Sequence, residues 1–376
     1  LLEALDPPSR RTALAALALG SLAMIVTGLQ PLLLSELADA GRLSRDLVHP
    51  AAIIDMLAMA VSVAACALLL KPHRLRRWAA GAAGVCVIAG LGALIARDTQ
   101  FLAVRALGGL AGGVLVWITV GMIARQPRPE PWAAAFFMVQ SAGQVFAAGW
   151  ASALGPTGGA LFAAGLSGLC ILVAPPLAPA MDDLARAGDR RPDRRGMFGL
   201  AALFLYFTGN AALWFHMRPL AETQGLTAVT GPVVLTTLGA QMLGAMAAVS
   251  LAGRLSLRRL FALVVACALL ACAVLALKPP APIFVAAFGL LAFAALLLGA
   301  SLFGLLHAAD PSRRAGAVSP AAQLSAAALG PLVGMALAGI GGPAAVLALT
   351  ALLALAALAC AWLSLSTGES ASPGSG

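Results

Sequence analysis

Between residues 12 and 366 the chain is a succession of apolar runs, each ended by charge, Pro or Gly. A helix that crosses a bilayer needs about 20 mostly apolar residues. The runs fall near 12–34, 50–70, 78–96, 101–123, 132–154, 158–178, 197–217, 229–252, 260–277, 283–306, 317–340 and 344–366. Lipid offers the backbone no water, so each run must close its hydrogen bonds internally, as a helix. Hydrophobic residues make up 61% of the chain and charged residues 10%, whereas a soluble domain carries roughly a quarter charged. No room remains for a large soluble domain. The expected fold is all-α and polytopic, with about 12 transmembrane helices.

A net charge of +9 would suit a nucleic-acid binder if Lys and Arg clustered with aromatic platforms on a solvated face. Here they sit in short connections, which argues against nucleic acid as a partner. With both termini placed on one side, eighteen of the 24 Lys and Arg fall on that side, around Arg10, Arg74, Arg125, Arg191, Arg258 and Arg313. The other side holds five, and Arg105 lies within a run. This asymmetry predicts an even number of spans with both termini cytoplasmic, in a bacterial inner membrane. The first run is longer than a signal-peptide core and lacks a cleavage site, so it is expected to remain as a helix. Cys66, Cys86, Cys170, Cys267, Cys272 and Cys360 all lie in apolar runs without a C-x-x-C pair, and read as small packing residues.

The longest charged stretch between runs, Met181 to Arg195, divides them six and six. The expected organisation is a six-helix bundle over 1–180, a cytoplasmic linker over 181–196, a second bundle over 197–366 and a disordered tail over 367–376. The halves echo each other. HRLRRWAA (73–80) follows the second run and LSLRRLFA (255–262) the eighth; GPTGG (155–159) marks the fifth and GPLVG (330–334) the eleventh. Weak symmetry at a six-span period fits two half-bundles around a central site.

In the fourth run, LAVRALGGLAGG (102–113) resembles the L-x-x-R-x-x-(Q)-G pattern of the major facilitator superfamily, with Arg105 and Gly109 on its Arg and Gly and Gly108 in place of Gln. The stretch GWASALGPTGGALF is similar to that family's Gly-Pro antiporter motif, although Ala151 replaces a Gly, so antiport is not inferred. After the second run the basic pair Arg76 and Arg77 is kept, but Ala67 and Pro72 stand where the family has Gly and Asp. The charge-relay gating attributed to that Asp is therefore not carried over. The resemblance spans essentially the whole chain. It implies two pseudo-symmetric six-helix bundles and a cavity lined by the first, fourth, seventh and tenth spans.

Ionisable groups inside a bilayer cost on the order of 2.5–3.5 kcal/mol on insertion scales, so each one present suggests a function. Asp55 in the second span and Arg105 in the fourth lie at similar depth, roughly 6–8 Å below the outer edge, and are candidates for proton coupling. The plainer alternatives are a static salt bridge or an Asp55 that snorkels to the interface. Tyr206, Asn210 and Trp214 recur at i, i+4 and i+8 in the seventh span, with Arg218 extending the row. Aromatic rings beside an amide suit an organic solute; anchoring and helix–helix hydrogen bonding are the alternatives. Gln30 in the first span is a further candidate solute contact. Thr27, Gln140, Gln144, Thr237, Gln241 and Gln323 read as cross-links between helices, and His216 and His307 as interfacial. Glycines four apart, Gly108 with Gly112, Gly109 with Gly113, Gly155 with Gly159 and Gly330 with Gly334, read as sites of close backbone approach.

No G-x-x-x-x-G-K-[ST] loop is present for ATP, and no H-E-x-x-H or Ser-His-Asp constellation for an intramembrane enzyme. No cofactor is expected. The reading is a monomeric secondary transporter that moves a small organic solute by alternating access, driven by a proton or another coupling ion. The same fold would serve an efflux pump for drugs or toxic compounds; a non-transporting sensor is the remaining alternative.

Overall fold

The computed structural model describes residues 8–28, 30–70, 73–181, 191–252 and 254–365. Most of the linker expected over 181–196 and the tail after residue 366 lie outside the described residues. Twelve α-helices make up almost all of what is described: α1 Arg10–Gly28, α2 Gln30–Asp39, α3 Val48–Leu69, α4 Leu75–Gly92, α5 Asp98–Ala124, α6 Pro129–Val173, α7 Arg194–Phe215, α8 Met217–Thr223, α9 Thr230–Leu251, α10 Leu257–Ala276, α11 Ala281–Ala309 and α12 Arg314–Leu365. Eight are long and apolar enough to cross a membrane, and Thr157–Val173 is a shorter apolar segment. Leu172, Leu235 and Leu352 are 73, 65 and 64% exposed, a cost in water that lipid removes. The protein is an all-α, polytopic membrane protein.

The two longest helices are each broken once. Gly155 (φ 68°, ψ −175°) interrupts α6 and Gly342 (φ 65°, ψ −164°) interrupts α12. Only glycine reaches this backbone region without strain. Pro156 and Pro343 follow, and a proline opening a helix sacrifices no hydrogen bond. The breaks fall where the sequence pattern separates 132–154 from 158–178 and 317–340 from 344–366.

Two sequence expectations need correcting here. A side chain at Gly155 would meet nothing within 4 Å, so this glycine serves a turn and not a close approach. The structural counterpart of its Gly-Pro is Gly342-Pro343; Gly330-Pro331 lies within α12, where a Cβ at Gly330 would come 2.6 Å from the Thr208 carbonyl of α7.

Hydrogen bonds tie the helix ends together on two faces. On one, Thr12 Oγ1 donates to Pro176 O (3.3 Å), Arg76 Nε to Leu177 O (2.6 Å), Arg313 Nη1 to Ala124 O (2.9 Å) and Arg258 Nη2 to Leu365 O (2.7 Å). On the other, Ser44 Oγ donates to Asp98 (2.8 Å) and Gln224 Nε2 to Leu275 O (3.1 Å). The arginine-rich connections thus share the first face.

Candidate solute and coupling site

Glycine spacing on α5 builds the site. A Cβ on Gly109 would lie 2.3 Å from the Asp55 carbonyl oxygen, and one on Gly113 would lie 2.6 Å from that of Met59. These two positions, one turn apart, let α5 lie directly against the backbone of α3. Arg105 is one further turn along the same face. Asp55 and Arg105 are equally far, roughly 10 Å, from the starts of α3 and α5 at Val48 and Asp98. Arg105 Nη2 meets Asp55 Oδ1 at 3.0 Å, with side-chain exposures of 17% and 3%. The sequence pairing is therefore present, and Asp55 does not snorkel.

The pair faces a partly open cavity of about 70 Å³ lined by α1 to α5 and the second part of α6. About 10–15 Å³ on this measure holds one water, so the space admits several waters or a small solute. Its walls are mostly apolar, among them Val26, Leu34, Met59, Phe101 and Leu115. The remaining polar side chains already spend their protons. Thr27 donates to Ala23 O (3.2 Å) and Ser167 to Ala163 O (3.1 Å), while the Cys86 thiol points to Gly108 O and that of Cys170 to Leu19 O, both at 3.8 Å. Arg105 Nε is buried without a partner.

The other expected site residues are elsewhere. The α7 row does not line this cavity. Tyr206 is 3% exposed within the hydrophobic core, and Trp214 meets Phe288 of α11 edge-on at 6.5 Å. The row follows the face of α7 that packs on its neighbours in the second half, because rings of that size are the chief filler available there. Asn210 is half-buried on the same helix. Gln30 opens α2, and its side chain lies outside the described residues.

Of the expected cross-links, Gln144 Nε2 donates to Met24 O (3.1 Å), joining α6 to α1, and Ser141 Oγ donates to Gln241 Oε1 (3.3 Å), joining α6 to α9. Thr237 instead bonds its own helix at Val233 O. His216 is buried rather than interfacial, with Nδ1 2.9 Å from Ala212 O. Sequence reasoning missed Cys86, Cys170 and Ser167 as cavity walls. Their helix spacing carries no signal that distinguishes a cavity wall from ordinary packing.

Fold and site together define a polytopic helical membrane protein with an ion pair buried beside a cavity. Its fold is that of the major facilitator superfamily. Among solved structures it is similar to FucP, the E. coli fucose:proton symporter, in its outward conformation (TM-score 0.73, 13% identity, covering 94% of this chain and 98% of that one). It is likewise similar to the human organic anion transporter MFSD10 (0.69, 17%, 95% and 100%) and to an outward-facing bacterial homologue of the iron transporter ferroportin (0.71, 13%, 93% and 97%). No protein-family profile matches the sequence, and no curated protein matches it either.

Proposed function

We propose that this protein is a secondary active transporter that moves a small organic solute by alternating access and couples the movement to protons. The observation that carries this reading is the buried Asp55–Arg105 pair facing a cavity within membrane-spanning helices. A buried ion pair is a weak device for stability, because desolvation offsets much of its attraction. It is a good device for a switch. Protonation of Asp55 removes the counter-charge of Arg105, so two conformations that hold the pair differently bind the proton with different affinity.

In this reading the chain crosses the membrane twelve times: α1 with α2 forms one span, and α6 and α12 form two each at their glycine breaks. The crossings group into bundles over 1–180 and 197–366, with both termini cytoplasmic in a bacterial inner membrane and the protein working as a monomer. Asn210 and Trp214 are assigned to the solute's path between the bundles, and Gln30 to its approach along the first span. Similarity in fold to a fucose:proton symporter and a proton:xylose symporter supports the proton-coupled reading. The small cavity favours a small solute over drug-sized efflux substrates.

Proteoliposomes supplied with mixed labelled solutes, with and without an inward pH gradient, test the proposal. Accumulation is expected to need the gradient. Asp55→Asn is expected to abolish accumulation while leaving exchange measurable. Full gradient-driven accumulation by that variant would return Asp55 to a structural role.

A further inference from the structure

Resting on the transporter reading, we infer that His307 is a second proton site, facing the cytoplasm: when charged it pairs with Glu130 across the seam between the two halves and holds the cytoplasmic side shut.

The seam is built from the end of α5 and the start of α6 in the first half, and from the end of α11 and the start of α12 in the second. Arg313 crosses it, with Nη1 donating to Ala124 O (2.9 Å) and Gln126 O (3.4 Å). Its backbone is left-handed (φ 63°), a conformation that costs a residue with a Cβ and so marks a position held for a purpose. Buried Asp310 braces the turn by accepting from Ser312 N (3.0 Å) and Ala315 N (2.9 Å). Beside Arg313, Ala124, Pro127 and Pro129 face Phe303, His307 and Gly316 across a cavity of about 20 Å³, which has room for a water.

Glu130 enters the seam from the first turn of α6. A Cβ on Gly304 would lie 2.9 Å from Glu130 Oε1, so the missing side chain makes space for the carboxylate. His307 is three residues further along α11, which puts its Cβ about 5–6 Å from that of position 304 on one helix face. An imidazole reaches the carboxylate over that distance. His307 is also exposed at the end of its helix, where aqueous protons reach it.

The charges that act on His307 are those of Arg313, Glu130 and Asp310. Arg313 and Asp310 belong to its own half and travel with it. Of the three, Glu130 alone belongs to the other half. Opening the seam therefore takes an anion away from His307, and the closed state binds the proton more tightly than the open state does. By linkage, protonation favours closure. The ionisable groups on the remaining neighbours do not change this sign. Arg125 at the end of α5 donates to Gly121 O (2.7 Å), and Arg128 before α6 is exposed. No ionisable side chain lies on α9. On α10, Arg258 donates to Leu365 O (2.7 Å) and Arg259 is exposed. On α7, Asp193 caps Gly196 N, Arg194 lies over the Phe198 ring at 5.8 Å and Arg195 is exposed, while Arg314 of α12 donates to Arg191 O (3.4 Å). Proton entry that acidifies the cytoplasm thus slows the next opening.

The test is the distance between spin labels at positions 128 and 259, one exposed position in each half, read by pulsed electron spin resonance on the purified full chain at about pH 8 and about pH 6. A charged label that does not enter lipid spares the native cysteines, which lie in the apolar helices. On acidification the short-distance population is expected to rise about two- to fivefold relative to the long one, the range for an exposed ion pair. His307→Gln and Glu130→Gln should each remove the response, and Asp55→Asn should keep it. Gly304→Ala retains both ionisable groups but displaces the carboxylate, and should reduce the response. No response in the parent, a response of opposite sign, a full response in folded His307→Gln or Glu130→Gln protein, or loss of the response in Asp55→Asn would each overturn the inference. If solute accumulation follows a pH gradient in proteoliposomes while the seam ignores pH, the transporter reading stands and this inference falls; a responsive seam in a protein that accumulates no solute would remove the transporter reading alone.

Discussion

Two adjacent glycines on α5 should respond in opposite ways to the same methyl group. At Gly108 an added Cβ would sit 3.5 Å from the Ala89 side chain and 3.9 Å from Asp55 Oδ1, both ordinary contacts. At Gly109 it would sit 2.3 Å from the Asp55 carbonyl oxygen and 3.1 Å from the Ala58 Cβ. To restore ordinary contact α5 must move away from α3 by about 1 Å, and backbone cannot rotate out of the way as a side chain can. Overpacking of this kind costs about 1–3 kcal/mol. The displacement also stretches the 3.0 Å Asp55–Arg105 ion pair toward about 4 Å, the outer limit of a close ion pair. Gly108→Ala should gain slightly from improved helix propensity, by up to about 1 kcal/mol. The assay is thermal unfolding of both variants in detergent, followed by a thiol-reactive dye that reports exposure of the buried cysteines. A Gly109→Ala protein as stable as Gly108→Ala would refute the reasoning that backbone contact at Gly109 sets the α3–α5 spacing.

Other outcomes follow from local geometry. Gly155→Ala and Gly342→Ala should each destabilise by about 1–2 kcal/mol, because both positions hold positive φ with no crowding to relieve, and dye-monitored unfolding measures this directly. Arg313→Gln should weaken closure of the arginine-rich face, since Arg313 donates to Ala124 O (2.9 Å) and Gln126 O (3.4 Å) at the C-terminal end of α5, a cation–helix contact of about 0.3–1 kcal/mol. Faster labelling of a cysteine placed at position 128 would register that loosening, and unchanged labelling would show that the contact is idle. For topology, a cysteine introduced at position 188 should react with impermeant maleimide only from the cytoplasmic side and one at 223 only from outside; the reverse pattern would invert every connection.

The sequence disclosed what the bilayer enforces. Apolar length fixes where helices run, and the gaps between runs 132–154 and 158–178 and between 317–340 and 344–366 put the breaks at Gly155 and Gly342 within a few residues, although the Gly-Pro echo pointed to Gly330 in the second half. Depth was legible too. Rise per residue places Asp55 and Arg105 at one level, and two opposite charges at one level in a bilayer have strong reason to meet. Rotation about each helix axis was not legible, because in lipid the outward face of a helix is as apolar as its packed face and amphipathicity no longer marks the core. Tyr206, Asn210 and Trp214 form a row on any helix, yet nothing in their spacing says whether it faces a cavity or the α10–α11 side, where the structure packs Trp214 on Phe288. The informative residues are therefore those that carry a rotational label. Gly109 and Gly113 on α5, unlike Gly108, which is also four residues from Gly112 but meets only ordinary contacts, are such a label, because a close backbone neighbour makes their missing side chains worthwhile. Their face of α5 carries Arg105 to Asp55, and the ion pair follows from the glycines as much as from the charges.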